Sequence, residues 1–327
     1  MTILITGGAG YIGSHCVKAL VEQGADVAVI DNLSTGFQEA VTGGRLYVGD
    51  LRDRAFVHGV FARETIGAVV HFAAFSQVGE SVKDPGKYYG NNIGGAAVLL
   101  DEMAASGVKN LVFSSTAAVY GEPEKTPIVE SDPTLPTNPY GETKLAIERM
   151  AACFERAYGI RCCALRYFNV AGASPDGSIG EAHDPETHLI PLVLQAALGA
   201  RDSITIFGED YPTPDGTCIR DYVHVCDLID GHLKALAYLE QGGKSDAFNL
   251  GIGHGFSVRE IIEAVKRVTG REFPVRSGAR RAGDPSILIA SGEKARRVLG
   301  WEPKHTEIDG IIADAWRWHK NKGHYSA

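Results

Sequence analysis

The stretch TGGAGYIGSH, residues 6–15, leaves a short apolar run, TILIT, and opens a helical pattern with no intervening loop. Gly7, Gly10 and Gly13 stand at the spacing by which a chain turns sharply out of a strand, lets its backbone approach a pyrophosphate, and packs a helix against that strand. The helix start adds unpaired N–H groups and the positive end of the helix dipole. A glycine turn can serve sterics alone, so the signal needs a second residue. Asp31 supplies it. The next apolar run, DVAVID, ends on this carboxylate 18 positions after Gly13, where it can accept ribose hydroxyls and would repel a 2′-phosphate. Together the two features predict an NAD site rather than an NADP site.

The first half of the chain repeats this grammar. TILIT, DVAVID, RLYVGD, AVVHFAA and NLVFSST alternate with helix-length stretches, and CCALRYFNV (162–170) follows the long helical pattern GETKLAIERMAACFERAYG. Apolar positions Leu145, Ile147, Met150, Ala151 and Phe154 of that pattern recur at helical spacing. Strands that read as nearly continuous apolar runs are covered on both faces, as in a parallel sheet between helices. From about residue 171 the elements shorten and Gly and Pro multiply. The predicted fold class is therefore α/β: a Rossmann doubly wound parallel sheet that binds NAD, with a smaller mixed α/β C-terminal domain that binds the substrate. The first domain is expected over 1–170 and the second over 171–327, with some C-terminal segments returning to the first.

Composition narrows the function. The chain has 327 residues and a formal net charge of −8, with no basic run to hold a polyanion. No nucleic-acid partner is expected. No stretch of 18 apolar residues and no secretory leader pattern appears, so we expect a cytoplasmic protein with no membrane contact. The cysteines, Cys16, Cys153, Cys162, Cys163, Cys218 and Cys226, show no spacing that suits zinc. Reduced, mostly buried thiols and no metal site are expected.

NPYGETK (138–144) carries the chemistry. Tyr140 and Lys144, four apart, share a helix face. A surface tyrosine over a solvated lysine is the bland alternative, but the pair lies behind a dinucleotide turn and about 25 residues after the strand-end cluster FSST. A phenol, ordinarily near pKa 10, becomes a base at neutral pH if two cations, the lysine and a nicotinamide, lower it by about three units, or roughly 4 kcal/mol. Tyr140 would take the proton of a substrate alcohol, with the Thr116 hydroxyl bonded to the same oxygen.

TGGAGYIGSH and NPYGETK, together with DNLSTG (31–36), HFAAFSQVGES (71–81), FSSTAAVYG (113–121), LRYFNVAGA (165–173), IFGEDYPTPDGTCIRDYVHV (206–225) and RRAGDPSILIA (280–290), resemble the UDP-glucose 4-epimerase family of extended short-chain dehydrogenases/reductases. The likeness runs in order over nearly the whole chain. It implies tightly held NAD, a tyrosine base with its lysine, and a UDP-sugar bound mainly by the C-terminal domain. At matching positions it implies NAD contacts from Tyr11 and Ile12 beside the glycines, and from Asn32, Leu33, Ser34, Thr35 and Gly36 after Asp31. Further contacts would come from Asp50 and Leu51, from Phe72, Ala73, Ala74 and Ser76, and from Asn92, Ser114, Tyr140, Lys144, Tyr167 and Phe168. The UDP-sugar would meet Thr116, Tyr140, Asn169, His188 and Leu189, then Thr205, Phe207, Arg220, Arg281, Asp284 and Leu288. Arg220 and Arg281 suit a diphosphate, and Phe207 suits a uracil face. Surface ion pairing is the bland reading of the arginines.

Departures from related families sharpen the expectation. Nucleotide-sugar dehydratases typically carry Asp-Glu after the threonine, and decarboxylases tend to carry a Glu; here the residues are Ala117 and Ala118. Ser76 replaces a lysine found in some epimerases, and Thr116 replaces a serine while keeping the hydroxyl. Leu288 stands where a tyrosine restricts the pocket to plain hexoses, so N-acetylated UDP-hexosamines are expected to turn over as well. UDP-glucuronate 4-epimerisation, or an inactive NAD sensor of the same fold, is the alternative. The family also implies a homodimer that uses the helix carrying Tyr140.

Overall fold

The computed structural model describes residues 1–281, 284–321 and Tyr325. The chain begins β1 (Thr2–Thr6), α1 (Tyr11–Glu22), β2 (Val27–Asp31), β3 (Arg45–Val48), α2 (Arg54–Arg63), β4 (Ile66–His71), α3 (Val78–Lys83), α4 (Pro85–Tyr88), α5 (Gly94–Ala105) and β5 (Asn110–Ser114). It continues α6 (Pro139–Tyr158), β6 (Arg161–Arg166), β7 (Asn169–Ala171), α7 (Leu189–Leu198), β8 (Ile204–Phe207), β9 (Ile219–Arg220), β10 (Tyr222–His224), α8 (Val225–Glu240) and β11 (Asp246–Asn249). The last elements are β12 (Phe256–Ser257), α9 (Val258–Thr269), β13 (Val275–Gly278), β14 (Ile287–Leu288), α10 (Glu293–Leu299) and α11 (Ile308–Asn321).

One seven-stranded sheet has the order β11-β6-β5-β4-β1-β2-β3, and every pairing in it is parallel. Side chains alternate faces along a strand, and here both faces are filled. Ile5, Val29, Val70, Val112 and Cys163 join one apolar cluster with residues of α1 and α8. Leu4, Ala28, Val69, Leu111 and Cys162 join another with residues of α2, α5 and α6. This double covering is why the strands read as unbroken apolar runs. The strand order reverses beside β1, and its two neighbouring crossovers diverge, leaving a crevice at the carboxyl ends of β1 and β4.

One feature differs from the sequence reading, and one fits its expectation that some C-terminal segments return to the first domain. CCALRYFNV is not one strand: β6 stays in the large sheet, and the chain turns at Tyr167 and Phe168 before β7 pairs in parallel with β10. β11, a short half-polar DAFN segment beyond residue 171, returns to pair with β6. A third cluster, including Val193, Leu194, Ile261, Val265, Ile311 and Ile312, packs α7, α9 and α11 together. Ser257 and Glu260 form a reciprocal capping box at the start of α9.

Candidate active site

The glycine turn is held open by sterics. Gly7 has φ +75°, and a Cβ there would lie 2.5 Å from the Ala73 nitrogen. A Cβ on Gly13 would lie 2.0 Å from the Gly7 carbonyl oxygen, so α1 can pack this closely only without one. Gly10 caps α1, and a Cβ there would meet nothing nearer than the Gly7 carbonyl oxygen, at an ordinary 3.5 Å. Asp31 ends β2, and its carboxylate accepts the N–H of Ala9 and of Leu33, each at 2.9 Å. Burial raises its pKa while those two N–H groups oppose the rise. Asp50 is gripped by the Arg52 guanidinium, with Asn32 donating at 3.2 Å, and it titrates well below the usual carboxylate range.

The turn opens into a cleft of about 1100 Å³. Gly10 leaves room for a phosphate at a helix N-terminus, Asp31 stands within the lining for ribose hydroxyls, and Phe72, Ala73 and Leu51 give an apolar wall. These residues fit an NAD.

NPYGETK starts α6, as its chemistry requires. The Asn138 side chain accepts the Gly141 N–H at 2.9 Å, Pro139 takes the first helical position, and Gly159 ends the helix in a left-handed conformation. Leu145, Ile147 and Ala151 are buried, which fixes the helix's rotation. Tyr140 and Lys144 therefore both face the cleft. Thr116 follows β5 and caps a short 3-10 turn through the Ala118 N–H at 3.1 Å. Behind it, Glu148 receives the Ser115 hydroxyl at 2.6 Å and the Arg166 guanidinium, and Arg166 also donates to the Tyr120 hydroxyl at 2.9 Å. This buried group holds the strand end in place.

The electrostatics of the chain alone supply only part of what the expected base needs. Lys144 directs its ammonium at the Ser114 carbonyl oxygen, 2.7 Å away, and lies 6.0 Å from the centre of the Tyr140 ring. Burial, only partly offset by the Thr116 hydroxyl, pushes the Tyr140 phenol up to about 12. Burial pushes Lys144 down to about 7, against the pull of Glu148. The chain's own groups thus leave the phenol protonated at neutral pH, because desolvation of a phenolate outweighs a distant, half-neutral ammonium.

The same cleft continues past Asn169, His188 and Leu189 to Thr205, Phe207, Arg220, Arg281, Asp284 and Leu288. Arg220 pairs with Asp284, and the Arg281 guanidinium stacks 4.3 Å above the Phe207 ring. Asn169 donates to the Asp221 carbonyl at 3.2 Å. The Tyr167 hydroxyl pairs with that of Ser114.

Of the residues singled out from sequence, three do not line the cleft. Leu33 has φ +56° and its N–H is held by Asp31. Gly36 packs on Ala9, whose carbonyl carbon would be 2.8 Å from a Cβ. Asn92 is buried and braces the Phe75 backbone through both ends of its amide. Conversely, Phe75, Tyr222, Arg201, His183 and Glu186 line the cleft without having been anticipated. Arg201 could have been suspected as a cation four residues before Thr205. His183 and Glu186 sit in an irregular Gly/Pro-rich stretch with no periodicity to place them.

Residues 3–251 match the NAD dependent epimerase/dehydratase family. The UDP-glucose 4-epimerase of Lacticaseibacillus casei is 59% identical over 322 residues, covering 98% of this chain and 97% of that protein. A crystal structure of a UDP-glucose 4-epimerase superposes with a TM-score of 0.99 at 55% identity, covering 100% of both chains. That of Brucella ovis, in complex with NAD, gives 0.94 at 48% identity, covering 97% of this chain and 98% of the other. Sequence, fold and cleft agree, and the chain belongs to the NAD dependent epimerase/dehydratase family, among the UDP-glucose 4-epimerases.

Proposed function

We propose that this protein interconverts UDP-galactose and UDP-glucose by carrying carbon four of the hexose through a transient ketone, with NAD retained throughout. The observation that carries the reading is the convergence of Thr116, Tyr140 and Lys144 on one cleft shared by the glycine turn and by Arg220 and Arg281. The NAD contacts are assigned to the lining residues from Gly7 to Phe168 named above, with Leu33, Gly36 and Asn92 shaping the loops behind them.

Bound NAD supplies the hydride acceptor and then the donor, and its nicotinamide cation adds the positive charge that the phenol needs to ionise. Tyr140 Oη removes the proton of the carbon-four hydroxyl and later returns one to the ketone oxygen from either side. Thr116 Oγ1 holds that oxygen in line. Lys144 keeps positive charge beside β5, where phenolate forms. Arg220 and Arg281 hold the diphosphate, the first by opening from Asp284 and the second by leaving the Phe207 face to uracil. Firm grip on UDP with few contacts to the hexose lets the sugar present both faces, placing binding energy on the non-reacting part of the substrate. Ala117 and Ala118 offer no acid or base for elimination, which supports epimerisation over dehydration.

Among the described residues no helix is long and apolar enough to cross a membrane, and all six cysteines are unpaired. We assign the enzyme to the cytoplasm, as a homodimer whose contact includes the outer face of α6. Sedimentation at micromolar concentration tests the dimer.

The test of the function is to incubate purified protein with UDP-galactose, adding no NAD, and to follow UDP-glucose. Product is expected. No product even after NAD is supplied would overturn the reading.

A further inference from the structure

The loop between β7 and α7 carries a cluster that the proposed reaction does not use as a unit. Glu181, His183, Glu186 and His188 each offer one ligand atom, and these atoms all lie within 4.8 Å of one another. Glu181 is 3% exposed, and its backbone is anchored by Trp318, whose ring N–H donates to its carbonyl at 2.8 Å. Its Oε1 meets two imidazole nitrogens, Nδ1 of His183 at 3.1 Å and Nδ1 of His188 in close contact. The two rings stand at 86° with centroids 5.1 Å apart, so the nitrogens approach from different directions. Glu186 Oε1 lies 3.7 Å from His183 Nδ1 and is itself fixed by the N–H groups of Thr187 at 2.7 Å and His188 at 2.9 Å.

We propose that these four side chains form a binding site for one divalent transition-metal ion, with zinc the best fit. A hydrogen-bonded loop would need only one imidazole on Glu181. Here two nitrogens and two carboxylates converge, and the carboxylates balance a doubly charged ion. Imidazole with carboxylate suits zinc and its neighbours and disfavours calcium and magnesium, which take oxygen. Zinc bonds of about 2.0–2.2 Å in a tetrahedron bring ligand atoms to roughly 3.5 Å apart. To reach that, the contacts of Glu181 with His188 and His183 open and the wider separations, none above 4.8 Å, close, by side-chain rotations chiefly of the half-exposed His188. Glu181, fixed by Trp318, provides the rigid ligand around which the others gather. Because His183, Glu186 and His188 also line the cleft, the ion would clamp the cleft wall to the α11 framework.

The site shares His188 with the expected UDP-sugar contacts, so it is tested by metal binding alone, with no UDP-sugar present. Chelator-washed protein with its NAD retained is dialysed to equilibrium against zinc, and separately against cobalt, whose visible spectrum reports a tetrahedral site. The intact chain is expected to hold one ion, His183→Ala to lose it, and Glu186→Gln to bind about 10-fold more weakly or worse. No bound ion, or equal binding by all three proteins through other histidines or Cys153, would overturn the proposal. Thermal unfolding verifies that each variant is folded. Should His183→Ala not fold, Glu186→Gln decides alone.

Discussion

The Lys144 ammonium donates to the Ser114 carbonyl oxygen at 2.7 Å, which ties the second turn of α6 to the carboxyl end of β5. The Ser114 hydroxyl meanwhile pairs with Tyr167, so the strand end, the lysine and the cleft wall form one unit. The bond positions Lys144, but it does not make up for the water the ammonium has lost.

Stability should record that cost. In the folded chain Lys144 titrates at about 7, against 10.5 when unperturbed. Between those values the unfolded chain binds the extra proton, so stability rises with pH, at a slope on the order of 1 kcal/mol per pH unit. Below about 7 both states are protonated, the slope vanishes, and the full cost of the buried charge is present. Tyr140 has the opposite effect only above pH 10, since its folded value is about 12. His183, held against its burial up to about 10 by Glu181 and Glu186, adds a slope of opposite sign over the same range, so the quantity to read is a difference: the urea stability of NAD-free wild type minus that of Lys144→Met should rise by on the order of 1 kcal/mol per unit between pH 7 and 9. Parallel curves would show that the ammonium keeps its ordinary affinity for protons.

Removing the phenol oxygen tests the base directly. Tyr140→Phe keeps the ring that packs in the cleft and deletes only the proton acceptor, so turnover of UDP-galactose should fall by about 10²–10⁴-fold. Retained NAD, measured on released nicotinamide dinucleotide, should be unchanged. Thr116→Ala should lose less, because a hydrogen-bond partner is removed while the base remains. A Tyr140→Phe rate within a few-fold of wild type would assign proton transfer to another group.

Much of this site was legible because its parts lie where sequence pattern and local geometry coincide. Gly7, Gly10, Gly13 and Asp31 are adjacent to strand ends that apolar runs mark, and Asn138 and Pro139 announce the helix that carries Tyr140. The Arg220 and Arg281 half was legible only through family likeness, since IRDY and RRAGD are as well explained by surface ion pairs. Three things were not legible. β11 has four half-polar residues and borrows its apolar environment from β6. The phenol's pKa depends on how much water burial removes, which no spacing reports. The convergence of Glu181, His183, Glu186 and His188 arises from an irregular loop folding on itself.

The turn at β1 allows a sharp steric test. A methyl on Gly13 would meet the Gly7 carbonyl oxygen at 2.0 Å, far inside contact distance, and backbone cannot rotate away as a side chain can. Gly13→Ala should therefore push α1 off the turn, costing about 1–3 kcal/mol of stability. It should also purify with little NAD, whereas Gly10→Ala, whose Cβ would meet nothing nearer than the Gly7 carbonyl oxygen at 3.5 Å, an ordinary contact, should fold normally and lose affinity only where a phosphate would sit. Equal NAD content in both variants and wild type would remove the turn from the cofactor site.

Leu288 bears on which sugars fit. It lies in β14, its residue paired in register with Arg220 of β9, and its carbonyl accepts the Asp221 N–H at 3.0 Å. The backbone there is fixed by β9, so the size of the side chain sets the width of the cleft wall next to Arg220. Leucine leaves room that a tyrosine ring would fill. Wild type is expected to epimerise UDP-N-acetylglucosamine as well as UDP-galactose. Leu288→Tyr should lower kcat/KM for the N-acetylated substrate by about 10-fold or more, the usual worth of 1–3 kcal/mol of steric exclusion, while leaving UDP-galactose within a few-fold. Equal losses on both substrates would mean that the tyrosine disturbs the Arg220 pairing instead of the sugar pocket. Failure of wild type to turn over the N-acetylated sugar at saturation would place the size limit elsewhere in the cleft.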